Sequence, residues 1–197
     1  MSFFTGTTKL SNTSAIPAGE DGHKVTKEAA VALLQNHDFF LKAEPHFVSY
    51  RALPPNKPAN NDGDTAAVKE AYSLPADLEP LGHPKVKLYE VIDHVPNPVW
   101  SSSVVSMEEF VDLKDGLWVR IHSPLAVVME TRWTVREREA GEGGGEGGLE
   151  LVEDVEISCS KLLLSIVKGQ VENNWRGIHD NIIKKLLEDA KNGGKES

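Results

Sequence analysis

The chain has 197 residues but only one cysteine, Cys159, and it is poor in cations, with 21 Lys and Arg against 30 Asp and Glu. A single thiol excludes an internal disulfide and a zinc site built from cysteines. The formal charge of -9 argues against a sequence-independent grip on nucleic acid or on an anionic membrane, both of which need clustered Lys and Arg. Long apolar runs are also missing. The longest, residues 162–167, is broken by Ser165 and falls far short of a bilayer span. The N-terminus carries Phe3 and Phe4 but no basic segment and no apolar stretch of signal-peptide length. The sequon Asn12-Thr13-Ser14 is therefore expected to stay unmodified, and a cytoplasmic or nuclear location is the default. Aromatic residues make up only 7 % of the chain, yet apolar residues reach 40 %, enough for the core of one domain.

Several catalytic and cofactor signatures are absent too. There is no G-x-S-x-G elbow for an α/β-hydrolase serine. The seven histidines, His23, His37, His46, His83, His94, His122 and His179, include no H-E-x-x-H pair, so no metal site and no cofactor are expected. A formal G-x-G-x-x-G runs through Gly143, Gly145 and Gly148, but a strand-like segment follows it, and Glu142 and Glu146 would repel a pyrophosphate. It reads as a hairpin loop. Asn61-Asp62-Gly63-Asp64 is too short for an EF-hand and lacks the distal Glu.

What is present is a clear order of elements. Residues 3–10 are rich in Phe and Thr and read as a first strand. Thr26 is placed to cap a helix whose Ala29, Ala30, Leu33 and Leu34 recur at helical spacing. Phe39, Phe40 and Leu41 continue into a second helical turn ended by Pro45, and residues 47–53 resemble a strand. Residues 54–65, PPNKPANNDGDT, offer almost nothing apolar to bury and read as a mobile loop. Five further strands follow at residues 86–95, 99–113, 117–122, 127–137 and 149–159, separated by short turns that imply an antiparallel meander. The last forty residues read as one helix. Leu164, Val167, Val171, Trp175, Ile178, Ile182 and Leu186 form a continuous apolar stripe, and residues 192–197 a disordered tail. Gly169 and Gly177 lie inside this pattern, predicting close contact with a sheet or a local bend.

An antiparallel sheet needs its apolar face covered, and the final helix is the one element long enough to do so. The expected fold class is thus α+β, a helix-grip arrangement with a curved antiparallel sheet wrapped around the C-terminal helix. This order resembles START-like proteins, the SRPBCC or polyketide cyclase/lipid transport class. Met1-Ser2-Phe3-Phe4-Thr5, the Asp115-Gly116-Leu117 turn, Pro124 and the Arg132-Trp133 pair are similar to an uncharacterised fungal family of that class. Relative to that pattern, residues 54–84 and 140–148 look like insertions into a single domain spanning residues 1–191. The resemblance implies a hydrophobic small molecule or lipid as partner, held between sheet and helix. It also permits cyclases and dehydratases that act on such ligands.

The residues themselves supply candidates. In the last strand Leu149, Leu151, Val155, Ile157 and Cys159 share one face, and Glu153 falls on it. Facing a cavity, this carboxylate would be desolvated, its pKa raised, and it could serve as a catalytic acid or base, with Tyr89 or a histidine as partner. The plainer alternative is a strand end, a bulge or a buried pair with an arginine. Met129, Thr131 and Trp133 share the apolar face of their strand, where Trp133 could meet Trp175 across the space between sheet and helix, near Val171. These six residues, Met129, Thr131, Trp133, Glu153, Val171 and Trp175, are the predicted ligand-binding set, with ordinary core packing as the alternative for each. Gln170 and Asn174 flank the helix stripe. Cys159, lacking an electropositive setting, reads as a buried inert thiol. Three functions remain open: a carrier of a hydrophobic ligand, a cyclase or dehydratase using the same interior, and an acidic protein-interaction module. Oligomeric state is not legible.

Overall fold

Successive side chains of a strand point to opposite faces, so apolar residues at every second position give these segments a shared inner core face. In the computed structural model, which describes residues 4–17, 24–57, 65–82, 85–95, 102–138 and 148–193, these segments assemble into one sheet. The elements are β1 (Thr5–Ile16), α1 (Lys27–Leu34), α2 (His37–Ala43), β2 (Phe47–Leu53), α3 (Thr65–Ala71), β3 (Lys87–Val95), β4 (Ser102–Leu113), β5 (Gly116–Ser123), β6 (Val127–Arg138), β7 (Gly148–Ser160) and α4 (Lys161–Gly193). The protein is α+β, with a seven-stranded, curved antiparallel sheet and a long C-terminal helix. The strand order is β1-β7-β6-β5-β4-β3-β2: a meander from β2 to β7, with β1 returning to pair with β7. No helix among the described residues is long and apolar enough to cross a membrane.

Thr26 caps α1, its hydroxyl accepting from Ala29 N at 3.1 Å, and Asn36 caps α2 through Phe39 N. The core on the inner face gathers Leu33, Leu34, Leu41, Phe110, Leu117, Val119, Trp133, Leu151, Ile182 and Leu186. Each such side chain, fully buried, contributes about 1.5–3 kcal/mol from the apolar area removed from water. The helix arrangement corrects one expectation. α4 lies against β1 and β7, while α1 covers β5 and β6 and α2 approaches β2. The sheet is too wide for one helix about 10 Å across, so the two short helices complete the cover.

Three stretches also differ from the sequence reading. β1 extends six residues beyond Leu10, to Ile16, because the polar run Ser11-Asn12-Thr13-Ser14 forms an edge strand whose backbone is satisfied by β7. Within the stretch read as an insertion, residues 65–71 form α3. Val68, Tyr72, Leu74 and Leu78 from this part of the chain pack with Val86, Leu88, Val111, Leu113 and Trp118 in a second core on the outer face. Arg120 anchors it, donating to Tyr72 O and Ser73 O at 2.7 Å and pairing with Glu109 at 3.0 Å and Glu130 at 2.9 Å. At the C-terminus α4 continues to Gly193, so residues 192–193 are helical. Residues 58–64 of the loop read as mobile, 141–147 of the glycine tract and 194–197 of the tail lie outside the described residues.

The glycines separate into different roles. A Cβ on Gly116 would stand 1.8 Å from Trp133 O, so the β4–β5 hairpin requires glycine to approach β6. A Cβ on Gly177 would meet Pro45 Cγ at 3.1 Å, so the close contact of α4 is with the turn after α2, not with the sheet. Gly169 faces open space, which removes the close-contact explanation there.

Candidate functional site

β7 places Glu153 between Asn12 of β1 and Trp133 of β6, its direct neighbours across the ladders. All three side chains point inward, where α4 crosses. Asn12 Nδ2 donates to Glu153 Oε2 at 2.9 Å. From α4, His179 Nε2 stands 3.9 Å from the same oxygen, beyond hydrogen-bond range. His179 Nδ1 is bonded to Ser14 Oγ at 2.8 Å. With Ser14 as donor, Nε2 carries the hydrogen and presents it toward the carboxyl. The imidazole lies between two indoles, with ring centroids 5.3 Å from Trp133 and 5.1 Å from Trp175. Trp133 Nε1 in turn donates to Thr131 Oγ1 at 3.1 Å. Arg176 lies over the Trp175 ring at 4.4 Å.

Burial controls the electrostatics. His179 is 0 % exposed and Glu153 4 %. Desolvation pushes the Glu153 carboxyl up to about 7, with the Asn12 bond acting in the opposite direction. The same cause depresses His179 to about 4, opposed by the charge of Asp180. Both groups are thus neutral between those values, and their approach is not an ion pair there. A carboxyl that titrates near neutrality can give or take a proton, Asn12 fixes one of its oxygens, and His179 offers a second polar atom close by.

The structure divides the six predicted residues. Thr131, Trp133, Glu153 and Trp175 gather about His179. Met129 and Val171 lie in the apolar cluster with Val155, Ile157 and Cys159. No arginine bonds Glu153 among the described residues; its partners are an amide and a histidine. Tyr89 is not the partner considered for it. The Tyr89 hydroxyl is bonded to His37 Nδ1 at 2.9 Å, and His37 Nε2 meets Asp112 Oδ1 at 2.8 Å, a buried brace tying α2 to β3 and β4. Burial pushes the Cys159 thiol up, as expected of an inert group. His94, which shares a face of β3 with Leu88, and His122 both lie on the outer face of the sheet, the side opposite Glu153, and His122 is 3.9 Å from Glu109. Sequence reasoning missed His179, although its position four residues after Trp175 and three before Ile182 continues the apolar stripe.

Among the described residues, no group of three or more His, Cys, Asp or Glu is arranged to hold a metal ion. A cavity of about 180 Å³ opens between the start of α1 and the end of α4, lined by Val25, Ala29, Leu186 and Asp189 among others. It includes none of the six predicted residues.

Residues 5–188 match the family described as Domain of unknown function (DUF7053). The chain belongs to the DUF7053 family. That match spans β1 through most of α4, so the sheet, its helical cover and the polar group around Glu153 all lie within the DUF7053 region. No protein of curated function matches this DUF7053 chain. Among solved structures, TTHA0849 from Thermus thermophilus is similar in fold, with a TM-score of 0.54 at 14 % identity, covering 92 % of this chain and 99 % of that one. At that identity the likeness concerns the arrangement of the chain alone.

Proposed function

We propose that this DUF7053 protein is a START-like, helix-grip binding protein, an intracellular carrier of a hydrophobic small molecule or lipid held between the inner sheet face and α4. One observation supports this reading above the others: buried Glu153 and His179, with the partly buried Asn12, form a polar group flanked by two tryptophans where α4 meets the sheet. Burying a carboxyl and an imidazole costs stability without strong partners, and one bond to Glu153 with none to His179 Nε2 leaves that cost largely uncompensated. Ligand sites combine an apolar lining with a few such polar anchors. The test is native mass spectrometry and organic extraction of the purified protein, with titration of tryptophan fluorescence by a hydrophobic probe. Co-purifying or saturable apolar ligand, lost on Trp133→Ala with the fold retained, is the expected result. A protein that emerges empty and binds no probe overturns the reading.

A second reading, a metal-independent cyclase or dehydratase, is favoured by Glu153 and His179 approaching one another in the same interior. It requires turnover to fall at least about a hundredfold on Glu153→Gln while ligand is still bound, the scale of general acid–base catalysis. Retention of turnover would exclude it.

A further inference from the structure

The polar interior extends beyond Glu153, to residues brought close only by the packing of the α2–β2 turn. That turn is fastened to α4 at two points: Asn181 Nδ2 donates to Ala43 O at 2.9 Å, and Gly177 admits Pro45. Glu44 lies between Ala43 and Pro45, and His179 lies between Gly177 and Asn181. The same turn meets the end of β3, where His94 N donates to His46 O at 2.8 Å and Phe47 pairs with Asp93. Asp93 shares the inner face with Val91 and Tyr89, and Ser106 and Glu108 share that face on β4. Glu44, Asp93, Glu108 and Glu153 therefore approach one interior from four elements.

The described bonds to three of these carboxyls come from neutral donors: Ser106 Oγ to Glu108 at 3.1 Å, His46 N to Glu44 at 3.4 Å, and Asn12 Nδ2 to Glu153. Among the described residues, none of the four forms an ion pair with Lys or Arg; the titratable neighbours are His46 beside Asp93 and His179 beside Glu153. Two buried atoms here have no hydrogen-bond partner: Asp93 Oδ1, and Nε2 of the fully buried His179, which faces Glu153. Acceptors thus outnumber donors, in a setting where an unmatched carboxyl is expensive. The four are not arranged to share a metal ion. An organic cation with several N–H donors suits such a spread, and the aromatic faces of Trp133 and Trp175 tolerate an ammonium as well as a hydrocarbon.

We propose that this interior receives an amine carried on an apolar body, its ammonium held among the carboxyls of Glu44, Asp93, Glu108 and Glu153 and its apolar part against Trp133 and Trp175. The inference rests on the interior-binding reading and narrows its ligand class. Burial raises these carboxyls to about 7, 6, 8 and 7 in the order named, desolvation being the largest cause for each, and repulsion within the group adds to it at Glu44 and Glu108. An arriving cation reverses that shift, so binding near pH 7 is accompanied by proton release.

The experiment is isothermal titration of the full chain at pH 7 with octylamine, 1-octanol and octanoate, each in phosphate and in Tris. Octylamine is expected to bind about tenfold or more tighter than 1-octanol, as one retained charge-assisted bond would give, and octanoate weakest. Its apparent enthalpy should differ between the two buffers, reporting released protons, whereas that of 1-octanol should not. Glu108→Gln, and separately Glu44→Gln, should bring octylamine close to the alcohol. Equal affinities for amine and alcohol, without proton release, overturn this inference and leave the interior-binding reading standing. Failure of all three octyl compounds to bind overturns that reading, and this inference with it.

Discussion

Replacing Glu153 with Gln keeps the length of the side chain and an acceptor for Asn12, and removes only the titration. The wild-type carboxyl moves from an ordinary 4.5 to about 7 on folding. The folded state therefore holds this proton more tightly than the unfolded state. Stability from this group is fully present below pH 4.5 and is lost as pH rises to about 7. At about 1.4 kcal/mol for each tenfold, a rise of 2.5 on the pH scale amounts to about 3 kcal/mol. His179 acts in the opposite sense. Its value falls from 6.5 to about 4, so its stability is present above 6.5 and is lost as pH falls toward 4. In the wild type the two slopes oppose one another across much of the same window. Asp93 and Glu108, raised like Glu153, contribute the same slope to both proteins and cancel in the comparison, and Glu44 cancels apart from the smallest of its causes, repulsion from Glu153 itself. Urea denaturation of wild type and Glu153→Gln at half-unit intervals from pH 4.5 to 8.5 reads the difference directly. The variant should be close to wild type at pH 4.5 and gain on it as pH rises, by about 3 kcal/mol at pH 8. Two curves separated by a constant offset would refute the reasoning, because they would show that Glu153 titrates alike in the folded and unfolded chains.

Gly169→Ala should stabilise the protein by about 1 kcal/mol, since the helix gains propensity and the new methyl meets open space; thermal denaturation checks this, and Gly177→Ala, crowded by Pro45, should show no such gain. Ala126→Gly should add about 1 kcal/mol, because Ala126 at φ 57 and Leu125 at φ 61 both hold left-handed backbone in the β5–β6 turn. A loss in chemical denaturation would contradict that. Arg120→Ala should cost about 3–5 kcal/mol, leaving Glu109 buried without its cation and the Tyr72 and Ser73 carbonyls without a donor. A loss below about 1 kcal/mol would show that the outer core does not depend on this network.

Much of the chain was legible without coordinates. Two-residue periodicity marked the meander from residue 86 onward, and the stripe from Leu164 to Leu186 marked α4, because burial on one face imposes its period on the sequence. Glu153 stood out because it interrupts an apolar face, and it is indeed buried there. β1 was read short because Ser, Asn and Thr also suit loops; here their backbone belongs to an edge strand, and Asn12 serves Glu153. The α3 region reads as loop because its few apolar residues, Val68, Tyr72, Leu74 and Leu78, become a core only when the outer face of β3–β5 supplies the other half.

Local chemistry in the sequence determined the strands, the capped helices, the amphipathic final helix and the acidic, single-thiol composition, since propensity, capping and periodicity act within a few residues. Tertiary structure alone decided that His179 would meet Glu153, that Tyr89 would turn to His37, and that Glu44, Asp93 and Glu108 would share an interior with them. Those neighbours are set by strand register and by the docking of the α2–β2 turn on α4, through contacts between residues far apart along the chain. Whether a charge is stabilised or expelled depends on these long-range neighbours, and this explains how an acidic surface composition conceals an acidic interior.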